Sequence, residues 1–244
     1  MLIVNYHAIT PRASRIGATR SQLESDMRGL LAAGFRCVTL DDCCEWMAGR
    51  LSLPPRTAAV TFDDGYESVL TGALPLLAEL GVPSALFVIA GRLGMDNRWE
   101  GQRAGAPPLP LIDREALQET ARMPLVTIGA HTWSHLTLGP LDDAKARREI
   151  VQSADALEDV ISKPVRFFAY PYGRSTRRDR ALARDRFSLA FAVGPAIAEA
   201  QGDRWEVPRV DCHDLRVALR LGIAGRASMV PYLRVRGTLR YLRS

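Results

Sequence analysis

From residue 2 to residue 211 the chain repeats one pattern: a short run of β-branched and aromatic residues, a polar turn, then a segment with helical periodicity. Runs at 2–6, 37–40, 58–62, 84–89, 125–130, 165–170, 189–193 and 207–211 read as strands. Between them, 21–33 (capped by Thr19 or Ser21), 41–48, 68–80, 113–121, 141–161, 176–184 and a stretch from Leu215 onward read as helices. Strands joined by helices make a parallel sheet. Repeated this often, and without a Gly-rich dinucleotide fingerprint, the pattern favours a (β/α) barrel over a doubly wound sheet. Residues 91–110 are rich in Gly, Pro and Arg and lack periodicity, so they read as a surface excursion or lid.

A chain of 244 residues suits one such barrel, and 47% apolar residues can fill it. The expected organisation is a single domain over 1–244 with a basic tail from about residue 225. The tail, VPYLRVRGTLRYLRS, interleaves arginine with apolar residues. It either docks or meets anionic headgroups as a peripheral membrane contact. Pro231 and Gly237 are expected to interrupt any continuous helix there. The net charge of +5 is carried almost wholly by arginine, with lysine only at Lys145 and Lys163. An ordinary solvated surface accounts for it, and no nucleic acid partner is expected. The four cysteines form no C-x-x-C pair, and Cys43 and Cys44 are adjacent, which disfavours a bridge. Free thiols in a reducing compartment follow. With no leader pattern at MLIVNYHAIT and no apolar run of about 20 residues, the expected location is the cytoplasm.

The chemistry gathers where strands end. Asp63 and Asp64 follow one strand and precede Gly65; alone, Asp-Asp-Gly is also ordinary turn chemistry. Of four histidines, two stand in one pentad, H-T-W-S-H, at His131 and His135. On a helical turn an i, i+4 pair faces one way, the spacing two imidazoles need to share an ion. Two histidines and one carboxylate make a three-ligand set with open positions, and the other carboxylate is then free to act as a base. His7 follows the first strand and Tyr172 follows another. In a parallel barrel all these strand ends share one face, where such enzymes build their active sites.

Y-H near the N-terminus, TFDDGY, ALPLLAELGVPSALFV, HTWSH and FAYPYG occur in that order. In these motifs the chain resembles the polysaccharide deacetylases with a NodB-type domain (carbohydrate esterase family 4), across most of its length. The resemblance implies a distorted (β/α) barrel with fewer than eight strands. It also implies a hydrolase that removes acetyl groups from N-acetylated or O-acetylated sugars. It gives Asp63 the part of general base and makes Asp64, His131 and His135 the ligands of a divalent metal, usually zinc. Pro171 and Tyr172 match the turn that walls the groove and offers a backbone N–H to the oxyanion.

Two family features are missing. An arginine commonly stands two residues before the Pro-Tyr pair to orient the base; here that residue is Ala169. Arg209 is the candidate replacement, an ordinary salt bridge its alternative, while Arg166 lies in a strand. No late Leu-x-His supplies the acid, so His7 and His213 stand as candidates, with His7 favoured because its strand end should face the metal. A nucleotide-linked or lipid-linked acetylated glycan is the expected substrate class. The alternatives are a cyclic-amide or imide hydrolase on the same metal site and a catalytically silent carbohydrate-binding domain.

Overall fold

The structure is a computed structural model that describes residues 1–102, 107–194, 196–226 and 228–241. Its strands are β1 (Leu2–Tyr6), β2 (Ala8–Ile9), β3 (Gly17–Ala18), β4 (Arg36–Cys37), β5 (Thr57–Phe62), β6 (Ser84–Val88), β7 (Val126–Ala130), β8 (Phe167–Ala169), β9 (Leu189–Phe191) and β10 (Val210–Asp211). The main sheet runs β10-β1-β5-β6-β7-β8-β9, parallel throughout, with β4 paired to the start of β5 and β2 paired to β3 apart from it. The sheet curls far enough to meet itself. Val210 pairs with Val4 of β1, while Phe191 of β9 bridges Val207. Ala192 N donates to Val207 O, and Val207 N to Ala190 O, both at 2.9 Å. The segment 207–211 thus closes the barrel between β9 and β1.

Strands covered on both faces read as continuous apolar runs. Alternation divides them here. Ile3, Ala59, Ala85, Phe87, Phe167, Leu189, Phe191 and Val207 fill the barrel interior. Val4, Phe62, Leu86, Ile128, Phe168 and Val210 pack outward against the helices. Polar residues interrupt the interior near the ends of the strands: Asn5, Thr61, Asp63 and Arg209 are all buried.

Helix Arg20–Ala32 is capped by Thr19 in a capping box with Gln22, and Arg177–Arg186 by Thr176 with Asp179. Two expected helices are altered. The 68–80 segment forms Glu67–Gly72 and Leu74–Glu79, parted at Ala73, because Pro75 cannot donate a hydrogen bond to the preceding turn. The helix expected over 141–161 runs from Asp143 to Ile161 and is π-wound over Arg148–Gln152. The tail is also corrected: Met229–Tyr241 is one helix. Pro231 falls in its first turn, where an N–H has no intrahelical acceptor to lose, and an interior glycine costs only about 1 kcal/mol. Met229 and Leu233 are buried in the main core and Arg236 pairs with Asp214 at 3.0 Å, so this end is docked. Residues 242–244 of the expected basic tail, and 103–106 of the expected excursion, lie outside the described residues. No described helix is long and apolar enough to cross a membrane.

Candidate active site

Asp63 continues the ladder of β5, its N–H donating to Tyr6 O at 2.9 Å, and by alternation its carboxylate points into the barrel. Arg209 meets it there in a two-pronged pair, Nη1 to Oδ1 at 2.7 Å and Nη2 to Oδ2 at 2.8 Å. The guanidinium also donates to Thr61 Oγ1, Asn5 Oδ1 and Ala192 O, and lies over the rings of Phe87 and Phe191. Burial alone would raise the pKa of Asp63, but the charges of Arg209 and His131 outweigh it and hold the carboxyl below its ordinary value. Arg166 instead points outward to Asp41 at 2.6 Å.

Asp64 turns away from the ladder with φ 71°, a left-handed conformation aspartate tolerates better than most residues. Its Oδ1 lies 3.3 Å from His131 Nε2 and 3.2 Å from His135 Nε2. The expected helical turn over the histidine pentad is absent. Thr132 and His135 both have φ 65°, and Thr132 Oγ1 accepts from His135 N at 3.0 Å, so a looped backbone brings the two rings together. His131 Nδ1 is 2.8 Å from Ala169 O. A carbonyl only accepts, so Nδ1 carries the proton and Nε2 turns its lone pair toward Asp64.

That arrangement fits a cation. Asp64 Oδ1 is buried without a hydrogen-bond partner among the described residues, and two imidazole nitrogens converge on it to make a set of three ligand atoms. Ligands about 2.0–2.2 Å from a tetrahedral ion stand about 3.3–3.5 Å from one another, close to the separations seen. Without an ion, the acid pair outweighs burial and raises the pKa of His131, whereas burial dominates at His135 and lowers it.

His135 sits between aromatic rings, Trp99 at 4.4 Å and Tyr172 at 4.9 Å between centroids. Tyr172 occupies the turn Pro171–Gly173 with φ 58°; Pro171 is buried, and the tyrosine ring is 45% exposed at the mouth. Trp99 comes from the 91–110 stretch and is buried. Backbone bridges join Asp96 to Pro110 and Tyr66 to Leu111. In the sequence Trp99 shows only as a lone tryptophan in a run of Gly, Pro and Arg.

The two acid candidates separate. His7 is half-buried and close enough for its charge to act on both Asp63 and Asp64. His213 Nδ1 is 3.3 Å from Arg216 Nη1, beside the Arg216–Asp26 pair. Asp211, Cys212 and His213 also bring ligand atoms together, but the Arg216 guanidinium beside them opposes a cation. The cysteines are free, and burial pushes Cys37 up to about 11 and Cys43 and Cys212 up to about 12, which leaves those thiols un-ionised and poor nucleophiles.

The family model described as polysaccharide deacetylase matches residues 50–186, more than half of the chain. The chain belongs to that family. IcaB from Ammonifex degensii shares the fold with a TM-score of 0.76 and 28% identity, over 91% of this chain and 97% of that one. The Streptococcus pyogenes deacetylase PplD, solved with acetate, superposes with a TM-score of 0.73 at 18% identity over 86% of this chain and 91% of that one, a likeness of fold. In sequence, the chain is 21% identical over 209 residues to YxkH of Bacillus subtilis, covering 85% of this chain and 70% of that protein. It is 22% identical over 201 residues to a poly-β-1,6-N-acetyl-D-glucosamine N-deacetylase of Staphylococcus epidermidis, covering 79% and 66% respectively.

Proposed function

We propose that this polysaccharide deacetylase hydrolyses the acetamide of N-acetylated sugars with a divalent metal, most simply zinc, held by Asp64, His131 and His135. The single observation that carries the reading is the buried, unpartnered Asp64 Oδ1 with two imidazole Nε2 atoms aimed at it. When bound, such an ion makes its water more acidic and polarises the acetyl carbonyl. Asp63, kept ionised by Arg209, takes the proton of the attacking water on a lone pair the guanidinium does not use. The backbone N–H of Tyr172, held in its turn by Pro171, donates to the developing oxyanion. His7 delivers a proton to the departing amine. Arg209 orients the base, filling the role that Ala169 leaves open. With these assignments, the two missing family features no longer favour a silent binding domain.

The named substrate of the Staphylococcus epidermidis relative is a polymer, and the exposed Tyr172 ring suits a sugar face at the mouth. Both favour an acetylated polysaccharide over a nucleotide-linked or lipid-linked glycan. The test is acetate release from β-1,6-linked N-acetylglucosamine oligomers, with a nucleotide-linked N-acetyl sugar as comparator. Activity should vanish in Asp63→Asn and on chelation, and return with zinc. Full activity in Asp63→Asn would remove the mechanism.

A further inference from the structure

The loop that carries both histidines hangs from a carboxylate that none of this chemistry uses. Glu149 is 5% exposed. Its Oε2 accepts from Trp133 N at 3.1 Å and from Ser134 N at 2.8 Å, and its Oε1 accepts from Ser134 Oγ at 2.6 Å. Two consecutive backbone N–H groups turned on one anion make a cradle that favours negative charge. Residues Thr132, Trp133 and Ser134 are the whole span between His131 and His135.

That span needs fixing from outside. Thr132 and His135 both sit at φ 65°, and such backbone costs about 1–3 kcal/mol per residue, persisting only where the surroundings over-determine it. The Thr132–His135 hydrogen bond secures the loop from within. Glu149 secures it from the helix behind, and it does so from the π-wound stretch Arg148–Gln152. Single π turns inside α-helices recur at functional sites because they re-aim side chains. The guanidinium of Arg148, from the same turn, lies 5.4 Å from the Trp133 ring.

The two histidines do not depend on this support equally. His131 has a second tie through Nδ1 to Ala169 O. His135 Nδ1 has no hydrogen-bond partner among the described residues, and the rings of Trp99 and Tyr172 flank its imidazole. Metal-bound histidines usually have the other ring nitrogen hydrogen-bonded, which fixes their orientation. His135 lacks that device, so its placement rests on its backbone.

We infer that Glu149 is a positioning residue for metal binding, setting the backbone that presents His135 to the ion. This rests on the reading of Asp64, His131 and His135 as metal ligands. Glu149→Leu is similar in size and leaves Trp133 N, Ser134 N and Ser134 Oγ without their shared acceptor. Zinc affinity, measured by chelator competition, should fall about 10–100-fold, the range typical when such supporting partners are lost. The visible spectrum of the cobalt-substituted protein should change with it. A merely structural role would lower the melting temperature of the metal-free protein while leaving zinc affinity and cobalt spectrum as in wild type; that result would overturn the inference. Should Glu149→Leu fail to fold, Ser134→Ala removes one of the three hydrogen bonds. It should weaken zinc binding to a smaller extent, and unchanged affinity there would equally overturn it. If wild-type protein binds no zinc or cobalt, the ligand assignment falls and this inference with it; tight wild-type binding with an unaffected Glu149→Leu removes this inference alone.

Discussion

Arg209 reaches Asp63 from the far end of the chain, across 146 residues, and binds both carboxylate oxygens with neither side chain more than 4% exposed. The pair lies wholly inside the barrel. Replacing Arg209 by Met should therefore leave a buried, uncompensated carboxylate and destabilise the protein by about 3–5 kcal/mol, the usual cost of removing one partner of a buried pair. The double variant with Asp63→Asn should recover part of that loss. Urea unfolding of the two single variants and the double measures the coupling; additive losses would show that the two residues do not act as a unit.

The pH dependence of stability follows from the same pair. The folded-state pKa of Asp63 is depressed, with burial opposing and Arg209 and His131 prevailing. A depressed carboxyl contributes stability that is complete above its unfolded value and is lost as pH falls through its folded value. In metal-free protein, Asp63→Asn should remove part of the decline in stability seen below the ordinary carboxylate range. Urea midpoints across the acid range report it, and identical acid limbs in variant and wild type would contradict the assignment.

The two acid candidates predict opposite outcomes. His7→Gln should lower kcat about 10²–10⁴-fold, the span expected for losing a general acid. His213→Gln, at a ring that contacts Arg216, should turn over near the wild-type rate. Acetate release by each variant at saturating substrate decides between them; the reverse ranking would move the acid to His213.

Gly173 has φ 67°, and an added Cβ would sit almost on the backbone of Val193. Alanine there must displace the Pro171–Gly173 turn. Gly173→Ala should cost about 1–3 kcal/mol. It should also reduce kcat more than it weakens zinc binding, because Tyr172 moves while the three ligands stay. Parallel zinc titration and kinetics separate the two effects.

Much of this site was legible in the sequence because its residues announce themselves by type and by place. Asp63, Asp64, His131 and His135 each stand at a strand end, and a parallel barrel collects strand ends on one face. Arg209 was recognisable as a candidate once 207–211 read as a strand, but its partner became definite only with barrel closure. Other features were hidden for physical reasons. The H-T-W-S-H spacing suits a helical turn, and nothing in the letters reveals that Thr132 and His135 adopt left-handed backbone. Glu149 looks like any helical glutamate, because a π turn leaves no periodicity to read. Trp99 belongs to a stretch with no pattern at all. Pro231 misled in the other direction, since a proline that breaks a helix interior is tolerated in a first turn.

Closure of the ring by 207–211 bears on how the protein is made. Synthesis is vectorial, so β1 emerges first and waits for a neighbour more than two hundred residues later, Val4 for Val210. Until that segment arrives, β1 and β9 each offer a bare parallel edge, the kind of surface on which nascent chains misassociate. Asp63 is also without its counter-charge for that interval. A ribosome stalled short of Arg209 would hold a sheet with Asp64, His131 and His135 already present and Asp63 still unpaired, so the pair at the heart of the barrel forms only once 207–211 has been made.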